Sequence, residues 1–467
     1  MTVTSPTSAT PASTGPTGTA PTSIAPTSTA PISTALLTDH YELTMLQAAL
    51  HSGTAWRRCV FEVFTRRLPE GRRYGVVAGT ARLLQAVRDF RFGSAEIEWL
   101  RESQVVDSRT LDFLSDYRFA GNISGYAEGE CFFPASPLLL VEGTFAESVL
   151  LETLLLSILN HDAAIASAAS RMTNAAGERP CIEMGSRRTH EWAAVAAARA
   201  AYIGGFATTS NLEAGRAYGV PTKGTSAHSF TLLHDDERAA FEAQVASLGV
   251  GTTLLVDTYD VTAAVDLAVE IAGVGLGAVR LDSGDLLVQA RQVRDQLDAL
   301  GAKNTRIVVT SDLDEHSIAA LAAAPVDAYG IGTALVTGSG APTAGLVYKL
   351  VAREDNAGQL IDVAKTSKDK TSVGGRKWAA RRLDARGVAV AEVIGIGTMP
   401  ANDGNDPSLS ARPLLVELMR EGEIVADLSL DAARRRHEQS RAELPPWALQ
   451  LSRGGPAIPM DFDDTHR

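Results

Sequence analysis

The sequence predicts an α/β protein: an irregular TIM-like parallel β/α barrel joined to an α/β domain built from N-terminal and C-terminal segments. Three observations carry that prediction. Between Cys181 and Ile331, short β-rich runs alternate with amphipathic helical runs, which implies parallel strands with crossover helices. About seven such units succeed one another, enough for a closed barrel rather than a small open sheet. Almost every strand run ends in a short polar cluster, and the C-terminal strand ends of a parallel barrel converge on one mouth.

The elements follow in order. Residues 1–34 are almost entirely Thr, Ser, Ala, Pro and Gly, too poor in apolar side chains to repay ordering, and read as a disordered leader. They lack the charged start and apolar run of a secretory signal. An N-terminal α/β domain is expected over 35–145, completed by 375–467. It opens with a helix in which Thr38 or Asp39 caps and Leu43, Leu46, Gln47 and Leu50 repeat at helical spacing. A strand over 59–64, helical sequence over 81–117 and short strands over 123–140 follow. The barrel is expected over 146–374, with strands at 181–184, 203–206, 220–223, 253–256, 278–281, 307–309 and 328–331. Its helices are expected at 191–201, 237–248, 261–272, 286–300 and 314–323. A strand-like run at 348–351 comes next, and the Pro- and Gly-rich tail from Pro445 reads as irregular.

Composition narrows the function. The net charge of −12 argues against a nucleic-acid binder, though a local basic pocket for an anion remains open. No run is long and apolar enough to span a bilayer. Cys59, Cys131 and Cys181 form no CxxC pair; three buried fillers in a reducing cytoplasm is the plain reading.

The strand-end clusters carry the chemistry. Glu183 leads into Gly185-Ser186-Arg187-Arg188, and an arginine grips a carboxylate or phosphate with two parallel hydrogen bonds. A surface ion pair is the competing reading. Thr208-Thr209-Ser210-Asn211, Asp257-Thr258-Tyr259-Asp260 and Thr310-Ser311-Asp312 end three more strands. Asp282-Ser283-Gly284-Asp285 sets two carboxylates about a tight turn, suited to ribose hydroxyls or Mg2+, with helix capping as the alternative. Gly330-Ile331-Gly332-Thr333, with Thr337-Gly338-Ser339-Gly340, offers backbone N–H groups and a hydroxyl to a phosphate, and it is not a Walker loop. His228 ends the run Gly224-Thr225-Ser226-Ala227-His228. There an imidazole serves as a base or as a nucleophile that carries a phosphoryl group.

These residues resemble a family. Leu37-Thr38-Asp39-His40-Tyr41-Glu42-Leu43-Thr44-Met45, Glu183-Met184-Gly185-Ser186-Arg187-Arg188, Thr209-Ser210-Asn211, Gly224-Thr225-Ser226-Ala227-His228-Ser229, Val279-Arg280-Leu281-Asp282-Ser283-Gly284-Asp285 and Gly330-Ile331-Gly332-Thr333 are similar to those of nicotinate phosphoribosyltransferases. The resemblance runs from about Leu36 to Trp378. It implies a cytoplasmic enzyme of NAD salvage that joins nicotinate to 5-phosphoribosyl 1-diphosphate, giving nicotinate mononucleotide and diphosphate. It further implies Mg2+, a ligase-type coupling to ATP as co-substrate, and a homodimer with shared active sites. By the same resemblance His228 is the phosphohistidine, Arg187 contacts the base and phosphate region, and Tyr41 stacks on the pyridine from the partner subunit. Asp282 and Asp285 serve the ribose and Mg2+ side, with Asp285 on the metal. Gly332 and Thr333, with Ser311, bind the phosphoribosyl group. Thr209 and Ser210 face the base, where neutral Ser210 suits a carboxylate better than an acidic residue would. Arg66, Arg67, Lys365, Lys368 and Lys370 are candidates for diphosphate or ATP.

The rivals are a nicotinamide or quinolinate phosphoribosyltransferase, a barrel sugar-phosphate lyase or isomerase, and a non-enzymatic binder on the same fold. A lyase normally needs a Schiff-base lysine or a proton-abstracting carboxylate in the mouth, and Lys223 is the obvious lysine near a strand end. A binder would be expected to have lost His228 or the aspartates.

Overall fold

A computed structural model describes residues 34–365, 373–400 and 409–463. The leader up to Ser33, and with it Lys368 and Lys370, lies outside the described residues.

The centre of the molecule is a curled, six-stranded parallel sheet. Its spatial order is Thr208–Thr209, Cys181–Glu183, Ala328–Ile331, Arg306–Ser311, Ala278–Leu281 and Thr253–Leu255. Val279, Leu281, Ile307 and Val309 are almost fully buried under the crossover helices. Each such side chain contributes roughly 1.5–3 kcal/mol on leaving water. The helices Glu191–Ile203, Glu237–Leu248, Val261–Ala272 and Leu286–Ala299 fall where the periodicity predicts them, within two residues.

The sheet is a half-barrel, which corrects the expectation of closure. Two expected strands account for the difference. The apolar run at 203–206 belongs to the end of the helix Glu191–Ile203, which stops at Gly204 and Gly205. Gly204 is required there, because a Cβ would come within 2.5 Å of the Ala169 Cβ on the neighbouring helix. The strand starts only at Thr208. The run at 220–223 makes a single parallel bridge, Thr209 to Thr222, because Pro221 has no N–H to give. Among the described residues no ladder joins it to Thr253–Leu255, so the curl stays open at that rim.

A second sheet lies beside the half-barrel. It is antiparallel and seven-stranded, and within it Arg58–Thr65 pairs with Leu346–Glu354 on one side and with the central strand Leu139–Thr144 on the other. Leu346–Glu354 thus pairs with the N-terminal layer although it follows the barrel in sequence. The 25-residue helix Glu152–Ala176 spans both parts. Leu154, Leu155 and Leu159 enter the core beneath the antiparallel sheet, and Ile165, Ala169 and Met172 enter the core of the half-barrel.

The C-terminal segment is more ordered than its composition implies. Met460–Asp463 pairs parallel with Ala389–Ile396 in a four-stranded sheet. A buried ion network pins this sheet to the N-terminal layer. Arg381 donates to Glu130 and Glu392, each at 2.8 Å, and the Tyr126 hydroxyl donates to Glu392 at 2.6 Å. Among the described residues, no helix is long and apolar enough to cross a membrane. The three cysteines are free and buried.

Candidate active site

The strand ends of the half-barrel surround a cavity of about 530 Å³. Its wall includes Arg187, Arg188, Ser210, Asp282, Ser311 and Thr333, from the ends of five of the six strands.

The first two strand-end loops are tied together from below. Glu183, fully buried at the end of its strand, accepts from the Gly185 N–H and the Thr209 hydroxyl. Burial raises its pKa, and the two donors only partly oppose this. The Glu183 carbonyl takes the Ser210 N–H at 2.8 Å, and Asn211 Nδ2 donates to Ser186 Oγ at 2.9 Å. Thr209 is therefore buried support, whereas Ser210 faces the cavity. Arg187 and Arg188 sit on the short turn Ser186–Arg188 and form no ion pair among the described residues, so a surface ion pair does not account for them.

A third cation lies deeper. Arg280, buried in the strand Ala278–Leu281, donates to Thr225 Oγ1 at 2.8 Å and to the Ser226 carbonyl at 3.0 Å. Its Nε is buried without a partner. Burial lowers its pKa against the pull of Asp282 and Asp257, with Arg187 adding to the lowering. A desolvated guanidinium in one cavity wall with the unpaired Arg187 and Arg188 is stabilised by an arriving anion. Arg280 stands in the run Val279–Asp285 on which the resemblance rests, but it drew no role there, since it lies inside a β-rich run rather than after it.

His228 opens the short helix His228–Leu233 at the cavity rim. Its Nε2 is 3.2 Å from Asp257 Oδ1, and Asp257 is buried. The other Asp257 oxygen accepts from the Asp282 N–H at 2.8 Å and Ser283 Oγ at 2.7 Å. One carboxylate thus orients the imidazole and holds the Asp282 turn. Asp257 stood in a polar strand-end cluster, but nothing local distinguished it from the helix-capping Asp260.

Asp282 accepts from the Thr310 hydroxyl and reaches within 3.9 Å of Arg280. Asp285 is outside the cavity wall. It is exposed and caps the helix Leu286–Ala299 through the Val288 N–H, as the capping alternative holds. Gly330 lets the last strand pass its neighbours, because a Cβ there would meet Thr310 Cγ2 at 2.4 Å and Met184 Sδ at 2.7 Å. Tyr41 is on the N-terminal helix, 44% exposed and away from this cavity; burial of its base and Glu152 push its phenol up to about 12. Arg66 and Arg67 line a separate groove with Gly340 to Gly345. Among the described residues no group of three or more His, Cys, Asp or Glu side chains is arranged to hold a metal by itself. Asp282 and Asp312, the carboxylates in the wall, do fit Mg2+, which keeps several waters and takes its other ligands from substrate phosphates.

Fold and site together define a class: a parallel β/α half-barrel protein whose mouth is lined by unpaired arginines beside an aspartate turn and a histidine–aspartate pair. Comparisons make the assignment specific. Residues 36–160 match the nicotinate phosphoribosyltransferase (NAPRTase) N-terminal domain. The chain is 59% identical over 434 residues to nicotinate phosphoribosyltransferase pncB1 of Mycobacterium tuberculosis, covering 91% of this chain and 94% of that one. It is 36% identical over 360 residues to the nicotinate phosphoribosyltransferase of Bacillus subtilis, covering 75% and 73%. The crystal structure of human nicotinic acid phosphoribosyltransferase superposes with a TM-score of 0.78 at 27% identity, covering 92% of this chain and 98% of that one. The chain belongs to the nicotinate phosphoribosyltransferase family.

Proposed function

We propose that this protein makes nicotinate mononucleotide from nicotinate and 5-phosphoribosyl 1-diphosphate in NAD salvage, with ATP coupled through a phosphohistidine at His228. The observation that carries the reading is the meeting of Arg187, Arg188 and Arg280 with Asp282 and the His228–Asp257 pair around one cavity.

Charge and position support the following roles. Arg280, Arg187 and Ser210 hold the nicotinate carboxylate, and desolvation strengthens the pairing. Gly332 and Thr333, beside Ser311, take the 5′-phosphate, and Asp282 takes the ribose hydroxyls. The ring nitrogen of nicotinate attacks C1 of the ribose, and the bond from C1 to the diphosphate oxygen breaks with its electron pair leaving on diphosphate. Asp282, with Asp312 or the outer Asp285, would hold Mg2+, which would supply positive charge against the departing diphosphate.

His228 acts in the ATP step. Its Nε2–H points at Asp257, which leaves the Nδ1 lone pair as the nucleophile. The γ-phosphoryl passes from ATP to Nδ1 and ADP leaves; water later returns the imidazole and inorganic phosphate. The added negative charge beside the diphosphate site favours the closed complex, and its hydrolysis favours release.

The protein is proposed to act as a cytoplasmic homodimer. Tyr41, with Leu37 and Met45 exposed beside it, reaches the partner's mouth to stack on the pyridine. Competition among nicotinate, nicotinamide and quinolinate as acceptors tests the reading. Nicotinate mononucleotide is the expected main product, and equal use of nicotinamide or no product overturns it.

A further inference from the structure

A buried ion cluster outside the cavity wall fastens the loop read as the phosphate site. Glu315 begins the helix Glu315–Ala320, one loop beyond the strand that ends in Ser311. Its side chain is 4% exposed. One oxygen accepts from Arg72 Nη1 at 3.1 Å and from Arg171 Nε at 3.0 Å, and the other accepts from the Ser339 hydroxyl. Arg72 also donates to the Gly338 carbonyl at 2.7 Å, and Arg171 donates to the Gly71 carbonyl at 3.1 Å.

Three facts make this more than a core ion pair. First, Ser339 has φ +50°, a left-handed conformation that a non-glycine residue adopts only when its surroundings hold it. The Glu315 bond is a direct restraint of that kind. Second, the turn is bonded back onto the residues that follow the cavity wall. The Ser339 N–H reaches the Ala334 carbonyl at 2.6 Å, and the Gly338 N–H reaches that of Leu335 at 2.9 Å. Displacing the turn therefore displaces the segment that begins at Gly332 and Thr333. Third, two guanidiniums share one buried carboxylate, and Arg72 ties the same cluster to the Gly338 carbonyl, so the turn is held from both its backbone and its side chain.

We propose that Glu315 is a positioning residue for 5-phosphoribosyl 1-diphosphate, acting through Ser339 to hold the 332–340 segment in its binding shape. The proposal rests on the reading of Gly332 and Thr333 as the 5′-phosphate site. Arg72 extends the same support to the loop that carries Arg66 and Arg67, so one carboxylate sets the spacing of two loops.

Steady-state kinetics on Ser339→Ala, Ser339→Gly, Glu315→Gln and Thr333→Val test it. Ser339→Ala loses the bond and keeps the unfavourable backbone. It is expected to raise the KM for 5-phosphoribosyl 1-diphosphate about tenfold, with the KM for nicotinate within about twofold. Ser339→Gly regains backbone freedom and is expected to fall between Ser339→Ala and wild type. Glu315→Gln is expected to follow Ser339→Ala, and the Ser339 pair stands alone if that variant does not fold. Thr333→Val separates the phosphate site from the support beneath it. If it leaves the diphosphate KM unchanged, the phosphate reading fails and the positioning role falls with it. If it raises that KM while both Ser339 variants match wild type, the Glu315 role alone is wrong. Equal rises in both KM values for Ser339→Ala also overturn positioning, because they indicate general damage.

Discussion

Asp257→Asn isolates the part assigned to the His228 pair. The carboxylate oxygen lies 3.2 Å from Nε2. A unit charge at that separation is worth about 5 kcal/mol at an effective dielectric of ~20 and about 1.3 kcal/mol in bulk water. His228 is 39% exposed on its side chain, so the lower part of that range applies. About 2 kcal/mol, or roughly thirtyfold in the ATP-coupled rate, is the expected loss. The substitution also inverts the hydrogen bond. The Asn oxygen can keep the Asp282 N–H and Ser283 hydroxyl, which turns its amide towards Nε2 and moves the imidazole proton to Nδ1, the proposed nucleophile. The assay is kcat/KM with saturating ATP for wild type, Asp257→Asn, His228→Ala and the double variant. If Asp257 acts through His228, adding Asp257→Asn to His228→Ala changes little, and the coupling energy approaches the full 2 kcal/mol. Additive losses, with a coupling below about 0.5 kcal/mol, would show that Asp257 does not act through His228.

Other parts of the structure make separate predictions. Ser210→Asp puts a carboxylate in the cavity wall and is expected to lower nicotinate kcat/KM by about 1–4 kcal/mol of like-charge repulsion at ~4 Å; unchanged nicotinate kinetics would contradict it. His437 is buried between the Gly129 carbonyl and Ser170 Oγ, and burial lowers its pKa from 6.5 to about 4. The folded state prefers the neutral ring, so this stability is present above pH 6.5 and is lost as pH falls towards 4, up to about 3 kcal/mol. Urea midpoints at pH 7 and pH 4.5 should separate less in His437→Gln than in wild type. Arg381→Met strands Glu130 and Glu392 in the core and is expected to cost about 3–5 kcal/mol by chemical denaturation.

Much of the half-barrel was legible in the sequence, because crossover helices such as Val261–Ala272 and strands such as Ala278–Leu281 carry their own periodicity. Its opening was not. The 203–206 run is apolar for helix packing, and only the contacts of Gly204 and the missing N–H of Pro221 turn two expected strands into a turn and a bridge. The helix Glu152–Ala176 shows no stripe, since its Ala- and Ser-rich second half is buried nearly all round between two cores. The strand-end rule brought Arg187, Ser210, Asp282, Ser311, Gly332 and Thr333 to one cavity wall and His228 to its rim. It could not rank Asp257 above Asp260 or Asp285, because an aspartate that caps a helix and one that orients a histidine look alike in sequence. Arg280 and Glu183 stood in runs that carry the family resemblance but drew no role of their own: both point inward from strands, where charged side chains are rare unless a site needs them.

The most direct test of the account is to follow ADP and nicotinate mononucleotide together, with nicotinate, 5-phosphoribosyl 1-diphosphate and Mg2+, with and without ATP. In wild type, ATP is expected to stimulate transfer, with both products rising in step. In His228→Ala, stimulation is expected to vanish while some ATP-independent transfer persists. Coupled ATP hydrolysis in His228→Ala, or the absence of nicotinate mononucleotide from wild type, would contradict the account.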